Sequence, residues 1–507
     1  MERSKATDET WDYIVIGTGM GGGPLGLKLA QAGFSVLFVE KGLSPFSNLA
    51  LKGQFAEQFE TEARETTTGP EVLKRAGRFS EGLFDRTKTK TKKLAPFMGT
   101  GVGGSSALYG AVLERFRPSD FTAWPIAYKE FEKYYAQAET IFRVRKPDAY
   151  RHPENQVLSS YLVQQGLHPY HLPLANDDKK DCGGCQSYLC AKGCKNDSGR
   201  ICIQTAVEKH GATLLTECTV QKITVQEKRG VAVEAKLHDL DLTLKARNIV
   251  VAAGALMTPI ILQNSGIGNE SGLLGRNLMR HYVDLYALKI PSDDLKIPAK
   301  EMGFNDYYTD QKVTLGTVQS FGRLPPVAVL LSQMQRDVGR AFALIKPFMK
   351  IILSKVTSNR LVMTSIIEDS PRFENRVWND EGKTCIAYSI SAGDQKKIAL
   401  MRAKMKSLFK KYNVLTIHAA EKNEMLAHVC GTCKMGIDPT TSVVDTENKL
   451  HGFENIYIAD SSFFPTSGGT NPALTIAANS LRLAEILIAK NRAARPGLIQ
   501  VETRPRS

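Results

Sequence analysis

Apolar side chains run without a break from Tyr13 to Ile16, and residues 12–16 read as a strand buried on both faces. Glycine then dominates Gly17 to Gly23, which predicts a tight turn. Pro24 to Ala32 has helical spacing, and Ser35 to Val39 is a second apolar run that stops at Glu40. Strand, turn, helix and strand in that order predict a β-α-β unit. Further on, residues 212–254 show strand-like stretches ending at Gly254. Residues 284–424 alternate polar and apolar runs and suit a substrate domain. The end of the chain, from about 425 to 490, is glycine-rich again and closes with a helix over 472–490.

Two stretches depart from this pattern. Residues 43–95 are polar and end in the basic run Lys88 to Lys93, which reads as a solvated loop, with a phosphate-rich partner as the alternative. Residues 338–356 are apolar with Arg340, Lys346, Lys350 and Lys355 interspersed. That stretch predicts either a buried or half-buried helix interrupted at Pro347, or a peripheral membrane contact or a greasy lid.

With 507 residues, 42% hydrophobic and 23% charged, the chain suits a soluble two-domain enzyme. A net charge of +14 favours anionic partners such as lipid headgroups or acidic molecules. No nucleic-acid-binding signature accompanies it, so no nucleic-acid partner is expected. The start resembles no signal peptide and no apolar run reaches eighteen residues, which predicts a cytoplasmic protein, with membrane association at most peripheral.

The turn supplies the first chemistry. Gly17-x-Gly19-x-x-Gly22 follows a strand and opens a helix, and Glu40 ends the next strand. Gly17 permits the tight turn, Gly19 lets a pyrophosphate approach the backbone, and Gly22 lets the helix pack close to the sheet. The helix N-terminus offers free N–H groups to phosphates, and Glu40 can accept from ribose hydroxyls. This predicts a dinucleotide site. Gly99 to Ser106 forms a second glycine loop that can bring amides against more phosphate or a flavin ring.

Taken together, the motifs resemble the glucose-methanol-choline (GMC) oxidoreductase family. The matching pieces are Gly17-Thr-Gly-Met-Gly-Gly22 with Glu40, the Gly103-Gly-Ser-Ser106 loop, the run Val250 to Ala255, and Gly275-Arg-Asn-Leu278. They continue with His428-Val-Cys-Gly-Thr-Cys-Lys-Met-Gly436, Tyr457-Ile-Ala-Asp460 and Thr470-Asn-Pro-Ala-Leu-Thr475. The resemblance implies an α/β fold: a Rossmann-like, discontinuous FAD-binding domain (1–130, 176–283 and 425–507) and an α+β substrate domain on an antiparallel sheet (131–175 and 284–424). It implies oxidation of an alcohol or sugar hydroxyl by hydride transfer to flavin N5, with His428 as base and Asn471 as its hydrogen-bonding partner. It places cofactor contacts at Gly17, Gly19, Met20, Gly22, Glu40, Lys41, Gly101, Gly103, Gly104, Ser105, Ser106, Val220, Ala253, Gly254, Asp460, Asn471 and Pro472. Members that link FAD covalently use a histidine just after the Gly-Gly-Ser-Ser loop. Here that place is Ala107-Leu108-Tyr109, so non-covalent FAD is expected. The electron acceptor expected for such an enzyme is O₂, a quinone or a redox protein.

Cys182, Cys185, Cys190 and Cys194 are dense enough for metal ligation, and Cys202 follows. An iron–sulfur cluster or zinc, one or two disulfides, and free packed thiols are all compatible with that spacing. A cluster would suit an alternative reading, a flavoprotein subunit of a membrane-associated electron-transfer complex. Cys430 and Cys433 read as inert side chains, and Cys218 and Cys385 as ordinary core positions.

Overall fold

A computed structural model describes residues 6–59, 69–177, 179, 182–290, 300–310, 313–322, 324–339 and 341–494. Arg340 and residues 495–507, both part of the expectations above, lie outside the described residues.

The N-terminal unit forms as its pattern predicts. Strand β1 (Thr10–Ile16), helix α1 (Gly22–Gln31) and strand β2 (Val36–Val39) follow one another, and β1 pairs parallel with β2. The helix starts two residues before Pro24. On its other side β1 pairs parallel with the last residues of Leu240–Val251, which in turn pairs parallel with Ile456–Ile458. Thr213–Leu215 extends the sheet beyond β2. The first half of Leu240–Val251 continues as an antiparallel meander with Arg229–Leu237 and Cys218–Gln226. The side chains of Tyr13, Ile14 and Val15 are fully buried, so the parallel part is covered on both faces.

This topology concentrates chain ends at one edge. Ile16, Val39, Val251 and Ile458 end their strands on the same side, so Gly17, Glu40, Ala252 and Ala459 emerge together. Neighbouring strands at β1 lead away in opposite directions, and an open α/β sheet binds ligands at such a switch point. The last helix, Ala473–Ala494, packs against α1 and against Tyr128–Ile141.

A second, six-stranded sheet is antiparallel throughout. Its order is Leu415–Ile417, Tyr282–Lys289, Arg360–Ile367, Gly316–Gly322, Met302–Phe304 and Tyr170–His171. The helix Ala392–Leu408, capped by Ser391 accepting from Asp394 N at 2.9 Å, buries Met401 and Met405 in this sheet's core. A small four-stranded sheet joins Leu83–Asp85 and Lys92–Leu94 to Arg376–Asp380 and Lys383–Ala387.

The stretch 338–356 differs from its expected form. Two helices, Val327–Val338 and Phe342–Thr357, meet at Gly339, whose φ of 89° breaks the helix there. The second helix runs through Pro347 without interruption. Pro347 and Ala343 are both exposed, so the carbonyl left without a donor can turn to solvent. The helix is not buried: Phe342 is its one buried residue.

Candidate active site

The cofactor end is built from close backbone approaches. A side chain at Gly22 would place its Cβ 2.0 Å from Gly17 O, and one at Gly21 would meet Ala459 O at 2.5 Å. These positions hold the helix start against the strand ends. At Gly19 the nearest atom to a Cβ lies 4.0 Å away, and at Gly254 nothing lies within 4 Å. Open backbone at Gly19, beside the N-terminus of α1, is the cradle a pyrophosphate needs.

Glu40 is buried and fully engaged by the protein. Its carboxylate accepts from Thr18 N (3.2 Å), Thr18 Oγ (2.7 Å), Gly42 N (3.0 Å) and Gly101 N (3.1 Å). Gly103 N donates to Thr18 Oγ, and Ser106 Oγ donates to Gly103 O. Ser105 Oγ accepts from Gly99 N. Glu40 therefore ties the two glycine loops together in this structure, and a ribose hydroxyl would have to share its oxygens. Gly101, Gly103 and Gly104 all have positive φ (112°, 98° and 53°), as this tight second loop requires.

Beside Glu40 lies a cavity of about 440 Å³ lined by Lys41, Lys74, Arg78, Thr219 and Gln221 among others. Lys41 pairs with Glu81, and Val220 sits between two lining residues at a register shift in its strand. Asp460 braces the opposite corner: it accepts from Gly254 N, Thr258 Oγ, Ser462 N and Ser462 Oγ, and burial raises its pKa. Met20 is buried in the core, Ala253 is half-buried and donates its N–H to Thr258 Oγ, and Pro472 is buried. These residues fit FAD. Ala107 and Leu108 have no nucleophilic side chain, and the Tyr109 hydroxyl donates to Asn196 O at 2.6 Å.

The chemical end centres on two histidines. Backbone pairing of Met279 with Cys430, and His281 N donating to Ala427 O, set the two segments side by side. His281 Nδ1 then lies 2.9 Å from His428 Nδ1. His281 Nε2 faces Ser467 O (3.1 Å) and Gly468 O (2.8 Å). Carbonyls only accept, so His281 Nε2 carries the proton. Burial pushes the His281 pKa down to about 4, so the ring is neutral and its Nδ1 is bare. His428 Nδ1 must therefore donate, which leaves His428 Nε2 bare. Burial, then His281 and Lys300, hold the His428 pKa well below its usual value, so it is a neutral acceptor at pH 7. His428 also has a φ of 58°, a left-handed conformation of the kind that collects at functional sites.

The same loop leads to Asn471. Its Oδ1 accepts from Gln319 Nε2 at 2.8 Å, which orients the amide and leaves Nδ2 as a donor. Gln319 also donates to Glu114, whose oxygens accept from Tyr170 Oη (2.6 Å) and Thr470 Oγ (3.0 Å). Half-buried Lys300 has its pKa brought down to about 8 by desolvation, and its charge acts on both Glu114 and His428.

His281, Glu114, Gln319 and Lys300 were not legible as site residues. His281 has a weak signal, three residues beyond the quoted Gly275 to Leu278 motif. Gln319 lies on the strand Gly316–Gly322 and Glu114 and Lys300 on segments outside any strand, and all three enter through contacts far apart in the sequence.

All nine cysteines are free thiols. Cys190 and Cys194 sulfurs lie 3.8 Å apart, and Cys185 shares a hydrogen bond with Cys190. That bond and the N–H groups of Cys194, Lys195 and Lys192 draw the Cys190 pKa down. Among the described residues no set of three or more His, Cys, Asp or Glu is arranged to hold a metal ion. The expectation of an iron–sulfur cluster or zinc on Cys182, Cys185, Cys190 and Cys194 has no support among the described residues. Cys218, Cys385, Cys430 and Cys433 are buried, and burial raises each thiol's pKa.

Known proteins resemble the chain along most of its length. The chain is 24% identical to paromamine 6'-oxidase of Streptomyces fradiae, over 94% of this chain and 91% of that one. It is also 24% identical to 2-methyl-1,2-propanediol dehydrogenase of Mycolicibacterium austroafricanum, over 95% and 96%. It is 24% identical to a long-chain-alcohol oxidase of Arabidopsis thaliana, over 94% and 67%. Its fold matches the crystal structure of a pyridoxine 4-oxidase with a TM-score of 0.62 at 18% identity, over 94% of this chain and 99% of that one. Models of the N- and C-terminal parts of GMC oxidoreductases match residues 14–283 and 387–480, so the chain belongs to the FAD-binding GMC oxidoreductase family.

Proposed function

We propose that this chain oxidises the CH–OH group of a small-molecule alcohol or sugar to a carbonyl, with His428 as base and Asn471 as hydrogen-bonding partner. The observation that carries this reading is the bare Nε2 of His428, fixed by the chain of bonds through His281 to two carbonyl oxygens. A neutral imidazole with one committed nitrogen is set to take one proton. Its Nε2 takes the substrate hydroxyl proton, and Asn471 Nδ2 donates to the same oxygen. The positive charge of Lys300 acts on His428 and opposes its protonation, which helps keep Nε2 bare until the substrate proton is offered. Gln319 holds Asn471 in its donating orientation.

Bound FAD supplies the hydride acceptor. The open backbone at Gly19, the N-terminus of α1 and the second glycine loop would hold its pyrophosphate side without a covalent link, and Lys41 and Val220 flank the cavity on its adenosine side. Two of the relatives are named for alcohols, a long-chain-alcohol oxidase and a propanediol dehydrogenase, which supports an alcohol substrate. Oxidases and a dehydrogenase stand side by side among them, so O₂, a quinone and a redox protein all remain acceptors to test.

The test is anaerobic mixing of the FAD-loaded protein with a panel of alcohols and sugars. Loss of oxidised-flavin absorbance with at least one of them is the expected result. A loaded protein that no alcohol or sugar reduces contradicts the reading. Admitting O₂ to the reduced protein then assigns or removes oxygen as acceptor.

A further inference from the structure

The helix Phe342–Thr357 carries the largest concentration of exposed apolar side chains among the described residues. Leu344 is 87% exposed, Phe348 65%, Ile351 59% and Ile345 50%, with Ile352 and Val356 beside them. Positions 344, 348 and 351 fall on one stripe, and 345, 352 and 356 flank it. The opposite stripe, Phe342, Lys346, Met349 and Leu353, faces the protein, and Lys346 Nζ donates to Gln335 on the neighbouring helix. The helix has no acidic residue, while exposed Lys350 lies to one side of the apolar stripe and exposed Lys355 continues the stripe at the helix's C-terminal end.

We propose that this helix docks flat on an anionic lipid surface. Its apolar stripe enters the boundary between headgroups and acyl chains, and Lys350 and Lys355 meet the anionic headgroups. The chain's net charge of +14 draws the whole molecule to the same surface. Charge disfavours a second copy as occupant, because two such faces would oppose lysines with no acid on either helix. Spanning is excluded by length and composition, since no described helix is long and apolar enough to cross a membrane. Pro347 adds a limit on depth. It leaves the exposed Ala343 carbonyl without its helical donor, and that oxygen needs water or a headgroup nearby.

The position of the helix ties the surface to the site. The helical pair lies between Gly316–Gly322 and Arg360–Ile367, neighbours in the antiparallel sheet, and the first of these strands carries Gln319. The docking face thus joins the strand that orients Asn471. The proposal does not rest on the reaction assigned above.

The test uses the full-length, FAD-loaded protein and vesicles of phosphatidylcholine, alone or mixed with phosphatidylglycerol, in a sedimentation assay. Binding to the mixed vesicles that weakens with added salt is expected. Leu344→Ser, Phe348→Ser and Ile351→Ser combined should weaken it about tenfold or more, with flavin content unchanged. Lys350→Glu with Lys355→Glu should abolish the preference for phosphatidylglycerol, and this variant decides if the triple variant loses its flavin. A parent that ignores both vesicle types, or variants that bind as well as the parent, overturn the proposal. So does light scattering that finds a stable dimer which the triple variant makes monomeric.

Discussion

His428 sits in a conformation that costs a non-glycine residue about 1–3 kcal/mol, and backbone pairing with Met279 to His281 holds it there. The strain aims the ring at His281, and His281 chooses the tautomer. His281→Ala removes the acceptor for His428 Nδ1–H and should lower kcat by about tenfold or more, within the range of general-base effects. His281→Gln offers a carbonyl acceptor and should recover part of that loss. Equal loss in both variants would make His281 a packing residue only. Gln319→Leu leaves Asn471 free to turn and should lower kcat more than it raises KM, which steady-state kinetics reads directly. His428 was legible because a nine-residue motif surrounds it. His281 was not, because its role depends on pairing with a segment nearly 150 residues away.

The first glycine loop separates two tasks that its spacing alone merges. Gly22 has no room for a methyl group, so Gly22→Ala should destabilise the fold by about 1–3 kcal/mol, measured by denaturant unfolding of the flavin-free protein. Gly19 has room, so Gly19→Ala should leave that stability nearly unchanged and weaken FAD retention. A Gly19→Ala protein that keeps FAD as well as the parent would move the phosphates elsewhere. The β-α-β unit was legible because apolar runs and glycines mark it locally. The helix near Pro347 was misread because a proline outweighed a glycine in the pattern. In the chain the proline faces solvent and is tolerated, and Gly339 makes the break.

At the scale of the molecule, two sheets meet over one site, and their buried groups respond to pH in opposite senses. Burial holds His281 near 4, below its unfolded value of 6.5, so this contribution is full above pH 6.5 and is lost as pH falls toward 4. Burial raises Glu368 to about 7 from 4.5, so its contribution is full below pH 4.5 and is lost as pH rises through 7. Glu368→Gln should therefore raise stability at pH 8 by about 3 kcal/mol relative to the parent, with little change at pH 4.5, as thermal unfolding would read. The mixed architecture was legible from motif order. The antiparallel sheet's strand order was not, because residues 284–424 carry no glycine signature and their pairing is set by nonlocal contacts.

Single-turnover flavin reduction under anaerobic conditions tests the central claim, that His428 accepts the substrate proton. With an alcohol that reduces the parent, His428→Ala should retain FAD and reduce it at least ~100-fold more slowly. On the acid side, the parent's rate should show no fall at pH 6.5 and drop only in more acidic solution, because His428 resists protonation there. An FAD-loaded His428→Ala protein that is reduced as fast as the parent would contradict the account.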